Sequence, residues 1–168
     1  MYARGEIDVS DVVLAAFAMK SSLPILEAEM ERAGHVVDYL GTIVIGTVQG
    51  DIHDIGSTMV SMLLKARGFR VIDLGVDVST IKFVDAVRSY QPQILAMSTL
   101  MTTTTHELFG VINTLVDEGL REQVKVMVGG SALTRQLSEK MGADGYEPSA
   151  HRAAELAWRL TRSNPSLN

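Results

Sequence analysis

The sequence predicts an α/β fold in which a five-stranded parallel sheet follows a short N-terminal helical segment. Three observations predict it. From residue 40 onward, short β-branched apolar runs alternate with amphipathic stretches of helical period. The runs are apolar almost throughout, rather than at every second residue, which is the pattern of strands covered on both faces. Glycines, hydroxyl residues and carboxylates gather just after the runs, at the end of such a sheet where ligands sit.

Residues 1–34 read as helical, with Asp8 and Ser10 as N-cap types and Gly34 as the C-cap. The apolar seam Val12, Ala16, Met19, Leu23, Leu26 and Met30 steps by four and three. Pro24 lacks an N–H and its ring clashes with the preceding turn, which predicts a kink or break near Ser21–Ser22. Strands are then expected at Thr42–Thr47, Arg70–Leu74, Ile94–Met97 and Val124–Val128, with a weaker fifth at Ala143–Tyr146. Helices are expected at about 54–67, 79–90, 104–119, 131–140 and 148–162. Five strands and five helices in this alternation fit the flavodoxin-like (Rossmann-like) order 2-1-3-4-5, with the ligand crevice where strands 1 and 3 diverge. The domain boundary falls near residue 40, giving a helical segment 1–39 and an α/β domain 40–168.

Of the 168 residues, 46% are hydrophobic and 21% charged, a balance that supports a buried core and argues against disorder. The net charge of -5 removes the basic footprint that binding to nucleic-acid phosphates requires. No apolar run reaches the length of a membrane span and the N-terminus lacks a signal-peptide pattern, so a cytoplasmic protein is expected. Cysteine is absent, which leaves His, Asp and Glu as metal ligands.

Three loops carry the unusual residues. After strand 1 comes Gly50-Asp51-Ile52-His53-Asp54-Ile55-Gly56-Ser57. After strand 3 comes Ser98-Thr99-Leu100, then Met101 and the threonines Thr102 to Thr105, and after strand 4 comes Gly129-Gly130-Ser131. His53 lies two residues beyond Asp51, close enough for the carboxylate to accept the ring N–H if the loop turns back on itself. Such a pair fixes the tautomer and makes the other nitrogen more basic, as behind metal-bound histidines. Ser98, across the crevice, is expected to donate its hydroxyl to Asp51, and Gly56, Gly129 and Gly130 let backbone approach a large ligand closely. Taken singly, each feature has an ordinary reading: a solvated histidine, an N-cap carboxylate, a glycine turn, a threonine cap.

Taken together, the motifs D-x-H-x-x-G, S-x-L and G-G resemble the cobalamin-binding domain of corrinoid methyltransferases and mutases. Asp51, His53 and Gly56 fill the first, Ser98 and Leu100 the second, and Gly129–Gly130 the third, with residues 57–97 and 101–128 as the intervals. The resemblance extends from residue 41 to about 160. It implies a cobalamin or related corrinoid whose own benzimidazole is displaced, with His53 as the lower axial ligand of cobalt. It implies that Asp51 and Ser98 continue a hydrogen-bond relay from that imidazole. It implies also a channel for the nucleotide tail lined by Gly56, Ser57, Ser98, Gly129 and Gly130, with Asp54, Ile55, Leu100, Thr102 and Thr103 among the remaining cofactor contacts.

The stretch Gly46 to Gly56 and the stretch Asp73-Leu74-Gly75-Val76-Asp77-Val78 resemble the methyl-carrier branch rather than the adenosylcobalamin mutases. That branch includes the corrinoid proteins of methyltransferase systems and the cobalamin domain of methionine synthase. The resemblance implies a cofactor-carrying subunit, not catalytic alone, that shuttles a methyl group on cobalt between partner methyltransferases and depends on a reductive activator. The alternative is a cobalamin-dependent sensor or light-responsive regulator. Gly5-Glu6-Ile7-Asp8-Val9-Ser10-Asp11 and Ala16-Phe17-Ala18-Met19-Lys20 resemble the last half of the four-helix module that opens such carriers, with Asp8 and Ser10 in place of phenylalanine and proline. The segment therefore reads as a truncated cap, and its uncovered seam is expected to be covered by a homodimer through the N-terminal helices, or else by folding back onto the α/β domain of its own chain. His35, His106 and His151 take the ordinary, non-ligating reading.

Overall fold

The structure, a computed structural model, describes residues 9–32 and 38–162. It divides into two compact units, Met1–Asp38 and Tyr39–Asn168.

The first unit holds one helix, α1 (Val9–Arg32). The break expected near Ser21–Ser22 does not occur, and α1 runs through Pro24 as one element. One missing donor removes a single rung of the backbone ladder, and the turns on either side carry the helix across it. The hydroxyls of Ser21 and Ser22 bond back to the carbonyls of Phe17 and Ala18, at 3.0 and 2.8 Å, in the turn before the proline. Leu26 of the seam is exposed. The side chains of Val12, Ala16, Met19, Leu23 and Met30 lie outside the described residues, as do Asp8, Gly34 and His35.

The second unit is built on β1 (Thr42–Thr47), β2 (Arg70–Asp73), β3 (Ile94–Ser98), β4 (Lys125–Gly129) and β5 (Gly145–Tyr146). All pairings are parallel, in the order β2-β1-β3-β4-β5, which is the flavodoxin-like sheet that the sequence predicts. The crossovers carry α2 (Ile55–Ala66), α3 (Thr80–Tyr90), α4 (Thr105–Asp117) and α5 (Arg135–Lys140), and α6 (Ala150–Arg162) follows β5. α5 starts later than expected. The chain first makes a turn in which Leu133 N–H bonds Gly130 O at 3.3 Å, and Thr134 then caps the helix by accepting Leu137 N–H at 3.2 Å.

The strand pleat sends alternate side chains to opposite faces. Val44, Leu95, Met97, Val126 and Val128 bury against Phe83 and Val87 of α3 and Leu108, Ile112 and Leu115 of α4. Ile43, Ile45, Ile94, Ala96 and Met127 bury on the other face, against Leu64 of α2 and Ala153, Ala154 and Ala157 of α6. Each fully buried Leu, Ile or Phe contributes about 1.5–3 kcal/mol relative to exposure. The α6 residues buried on the second face are all alanines, smaller than most of the α3 and α4 residues buried on the first. In the sheet register Thr47 pairs Ser98 and Ser98 pairs Gly129, which aligns the ends of β1, β3 and β4 in one row.

Candidate functional site

The three sequence motifs leave the sheet from this row. Thr47 Oγ1, at the end of β1, donates to the carbonyl of His53 at 3.1 Å and folds the following loop back over the sheet. Its one proton being used there, Ser98 Oγ donates to Thr47 Oγ1 at 3.0 Å.

Asp51 is fully buried in this loop and both its oxygens are engaged. Oδ1 accepts the backbone N–H of His53 at 3.0 Å and lies 2.6 Å from His53 Nδ1. Oδ2 accepts Leu100 N–H at 2.7 Å and the Thr99 hydroxyl at 2.9 Å. Burial opposes the charge on Asp51. The N–H groups of His53 and Leu100, the His53 ring and the Thr99 hydroxyl outweigh that penalty and hold its carboxyl well below the usual carboxylate range. An ionised carboxylate only accepts, so Nδ1 of His53 carries the proton and Nε2 presents a lone pair. The imidazole itself is about half exposed (51%), so that lone pair is open to a ligand. Ile52, Ile55, Leu100 and Met101, on the same loops and the start of α2, are also exposed.

Beside the pair, on the α2/α6 face, lies a cleft of about 270 Å³ whose lining includes Ile45, Gly56, Ser57, Ala96, Ser98, Met127, Gly129 and Gly130. Its wall is mostly apolar, with the small side chains of Ala96, Ala150 and Ala153 lining it beside Ile45 and Met127. The three glycines differ in what they do. A Cβ at Gly56 would meet no protein atom within 4 Å, so the space above it is open to a ligand. A Cβ at Gly129 would lie 3.0 Å from Glu147 O. At Gly130, with φ +118°, a Cβ would lie 1.9 Å from Thr99 O, so the fold itself requires glycine there.

The geometry corrects the expected relay. Ser98 does not reach Asp51; it bonds Thr47 and lines the cleft, and Thr99 supplies the hydroxyl instead. Successive residues at a strand end face opposite sides, so only one of the two can serve each purpose. Thr104 extends the chain: it is buried, with Oγ1 2.6 Å from Thr99 Oγ1. Thr102 and Thr103 are exposed in the 3₁₀ turn Thr102–Thr104 and line neither the cleft nor the Asp51 network. Asp54 is the N-cap residue of α2, its carbonyl accepting the Ser57 hydroxyl at 2.9 Å, and Ile55 is the first helical residue. His106 and His151 are exposed beside Glu107 and Glu155, at 3.1 and 3.7 Å. Thr99 and Thr104 are the site residues that sequence reasoning missed; strand alternation from Ser98 was the signal for the first.

A family model described as "B12 binding domain" matches residues 41–155. The trimethylamine corrinoid protein 2 of Methanosarcina mazei is 41% identical over 152 residues, covering 90% of this chain and 70% of that protein. The dimethylamine corrinoid protein 2 of Methanosarcina acetivorans is 43% identical over 160 residues, covering 95% and 74%. Among solved structures, the methanol:cobalamin methyltransferase complex MtaBC from Methanosarcina barkeri contains a chain similar at TM-score 0.80 and 31% identity. That match covers 97% of this chain, which spans 61% of the length of the other.

Proposed function

The chain belongs to the B12-binding domain family, and from that premise we propose that it is a corrinoid-binding methyl carrier, the cofactor-bearing subunit of a methyltransferase system. One observation carries the reading: an imidazole with Nδ1 held by a buried carboxylate and Nε2 open, beside a cleft left clear by Gly56.

The residues present fit such a group. Among the described residues no three His, Asp or Glu side chains converge to hold a metal ion, so His53 offers one ligand to a metal whose other ligands come with it. A macrocycle-held cobalt meets that condition, and imidazole is a suitable donor for it. When bound, the corrinoid supplies a cobalt centre that accepts and gives up a methyl group. The chain supplies the rest. His53 Nε2 would hold the cobalt, Asp51 fixes the tautomer of that imidazole, and Thr99 steadies Asp51 from the far side. The cleft along Gly56, Ser57, Ser98, Gly129 and Gly130 would take the nucleotide tail, and the exposed apolar side chains of Ile52, Ile55, Leu100 and Met101 would offer contacts to the ring.

No helix among the described residues is long and apolar enough to cross a membrane. We place the protein in the cytoplasm with two methyltransferases, one loading and one unloading the methyl group, and a reductive activator. The similarity to trimethylamine and dimethylamine corrinoid proteins and to a chain of a methanol:cobalamin methyltransferase complex supports that setting. We also propose a homodimer through α1, on which Leu14, Phe17, Ile25 and Leu26 are exposed. Light scattering reads the dimer directly, and a monomer at 18.2 kDa refutes it. The carrier role is tested by loading the chain with cobalamin, reducing it and offering a methyl donor with a cognate methyltransferase. Stoichiometric methylation supports the role; a bound cofactor that never accepts a methyl group overturns it.

A further inference from the structure

We propose that Asp77 is a positioning residue for the Asp51–His53 pair, a proposal that rests on the corrinoid reading and deepens it. Asp77 lies in the loop between β2 and α3, and its side chain touches neither His53 nor the cleft. Its Oδ1 accepts the backbone N–H of Gly50 at 2.7 Å, and its own N–H donates to Asp51 O at 3.0 Å. One residue thus grips the Gly50–Asp51 segment at both ends. Gly50 turns there with φ +79°, so this segment sets where the Asp51 side chain starts from and hence where Oδ1 meets His53 Nδ1.

The loop that presents Asp77 is itself laced to β1. Asp73 Oδ1 accepts Gly75 N–H at 2.9 Å, Gly75 O accepts Thr47 N–H at 2.9 Å, and Val78 N–H donates to Thr47 O at 3.0 Å. Val78 also forms a parallel bridge with Val48. Asp51 is therefore held from two sides, by Thr99 and Leu100 through its carboxylate and by Asp77 through its backbone.

The conformation of Asp77 argues that its carboxylate matters. It is not glycine, yet it has φ +53°, in the left-handed region. That region is costly for an L-residue, less so for Asp and Asn than for most. Glycine would adopt the turn without that cost and would keep the backbone bond to Asp51. What glycine cannot supply is the acceptor for Gly50 N–H.

This contrast gives the test. Asp77→Gly removes the acceptor while relaxing the backbone, and Asp77→Asn keeps an acceptor and tolerates the same φ. In the apoprotein, the Nδ1–H resonance of His53 is read by nitrogen-edited NMR. In cobalamin-loaded protein, the share of histidine-ligated cobalt is read from the visible spectrum. For Asp77→Gly we expect a melting temperature close to wild type, because relief of the left-handed turn offsets the lost hydrogen bond, together with faster exchange of the His53 Nδ1 proton. The histidine-ligated share should fall about threefold to tenfold, less than the tenfold to hundredfold typical of a group bonded directly to a metal-bound histidine. Asp77→Asn should restore both signals. An unchanged His53 resonance in Asp77→Gly, or failure of Asp77→Asn to restore it, overturns the proposal. Absence of histidine ligation in wild type would overturn the corrinoid reading instead, and the apoprotein resonance would still decide the role of Asp77.

Discussion

Replacing Asp51 with asparagine keeps the shape of the side chain and removes half of its accepting capacity. Four donors converge on the carboxylate, two on each oxygen. Asparagine accepts through one oxygen only and turns an NH₂ group toward the other pair. If its oxygen keeps His53, the Thr99 hydroxyl can turn to Met101 O, 3.2 Å away, but the backbone N–H of Leu100 loses its acceptor. A donor stranded in this way costs about 1–3 kcal/mol, and the bonds that remain lose their charge assistance, which is worth about 1 kcal/mol more. The sum is about 3 kcal/mol, or a fall in melting temperature of roughly 10 °C for a domain of this size. Scanning calorimetry of the apoprotein reads it without any cofactor. A variant within about 0.5 kcal/mol of wild type, the range of ordinary surface substitutions, would refute the account of Asp51 as a fully engaged buried carboxylate.

The other predictions follow from neighbouring contacts. Thr99→Val should destabilise the apoprotein and weaken histidine ligation, whereas Ser98→Ala should spare ligation, because only Thr99 touches Asp51; visible spectra of the two loaded variants check this, and equal loss would contradict it. Gly56→Leu should leave the melting temperature unchanged and weaken cobalamin binding at least about tenfold by filling open space, while Gly130→Ala should cost the fold about 4 kcal/mol because its Cβ meets Thr99 O; titration calorimetry and thermal melts separate the two effects. The depressed carboxyl of Asp51 contributes stability that is fully present above the unfolded-state value, about 3.9, and is lost as pH falls below it. The stability gap between wild type and Asp51→Asn should therefore stay constant from neutral pH to about pH 5 and narrow in more acidic solution, read as urea midpoints.

Much of this was legible in the sequence for physical reasons. A strand buried on both faces has to be apolar and β-branched, so Thr42–Thr47 and Ile94–Ser98 stand out, and the switch point follows from their order. The Asp51–His53 pair is local, two residues apart, so its hydrogen bond was foreseeable. What escaped depended on distant atoms. Gly130 is glycine because Thr99 O passes close to it, and a Cβ at Gly129 would meet Glu147 O before any ligand. Thr99 displaced Ser98 from the relay because strand alternation assigns them opposite faces. Pro24 did not end α1, because propensity weighs a single turn and a long helix bridges one lost bond. The grip of Asp77 on Gly50 joins residues 27 apart in sequence, and no local pattern announces it.

Whether His53 Nε2 holds a bound cobalt is read by electron paramagnetic resonance of the chain loaded with cobalamin and reduced to the paramagnetic cobalt(II) state. The protein is grown with histidine labelled in nitrogen-15, and the cofactor is left at natural abundance. Each cobalt hyperfine line, split into a triplet by an axial nitrogen-14 in unlabelled protein, should become a doublet in labelled protein, and His53→Ala should abolish the protein-derived splitting while cobalamin stays bound in the cleft. A triplet that survives labelling would mean that the axial nitrogen belongs to the cofactor's own base, and the assignment of His53 would fall.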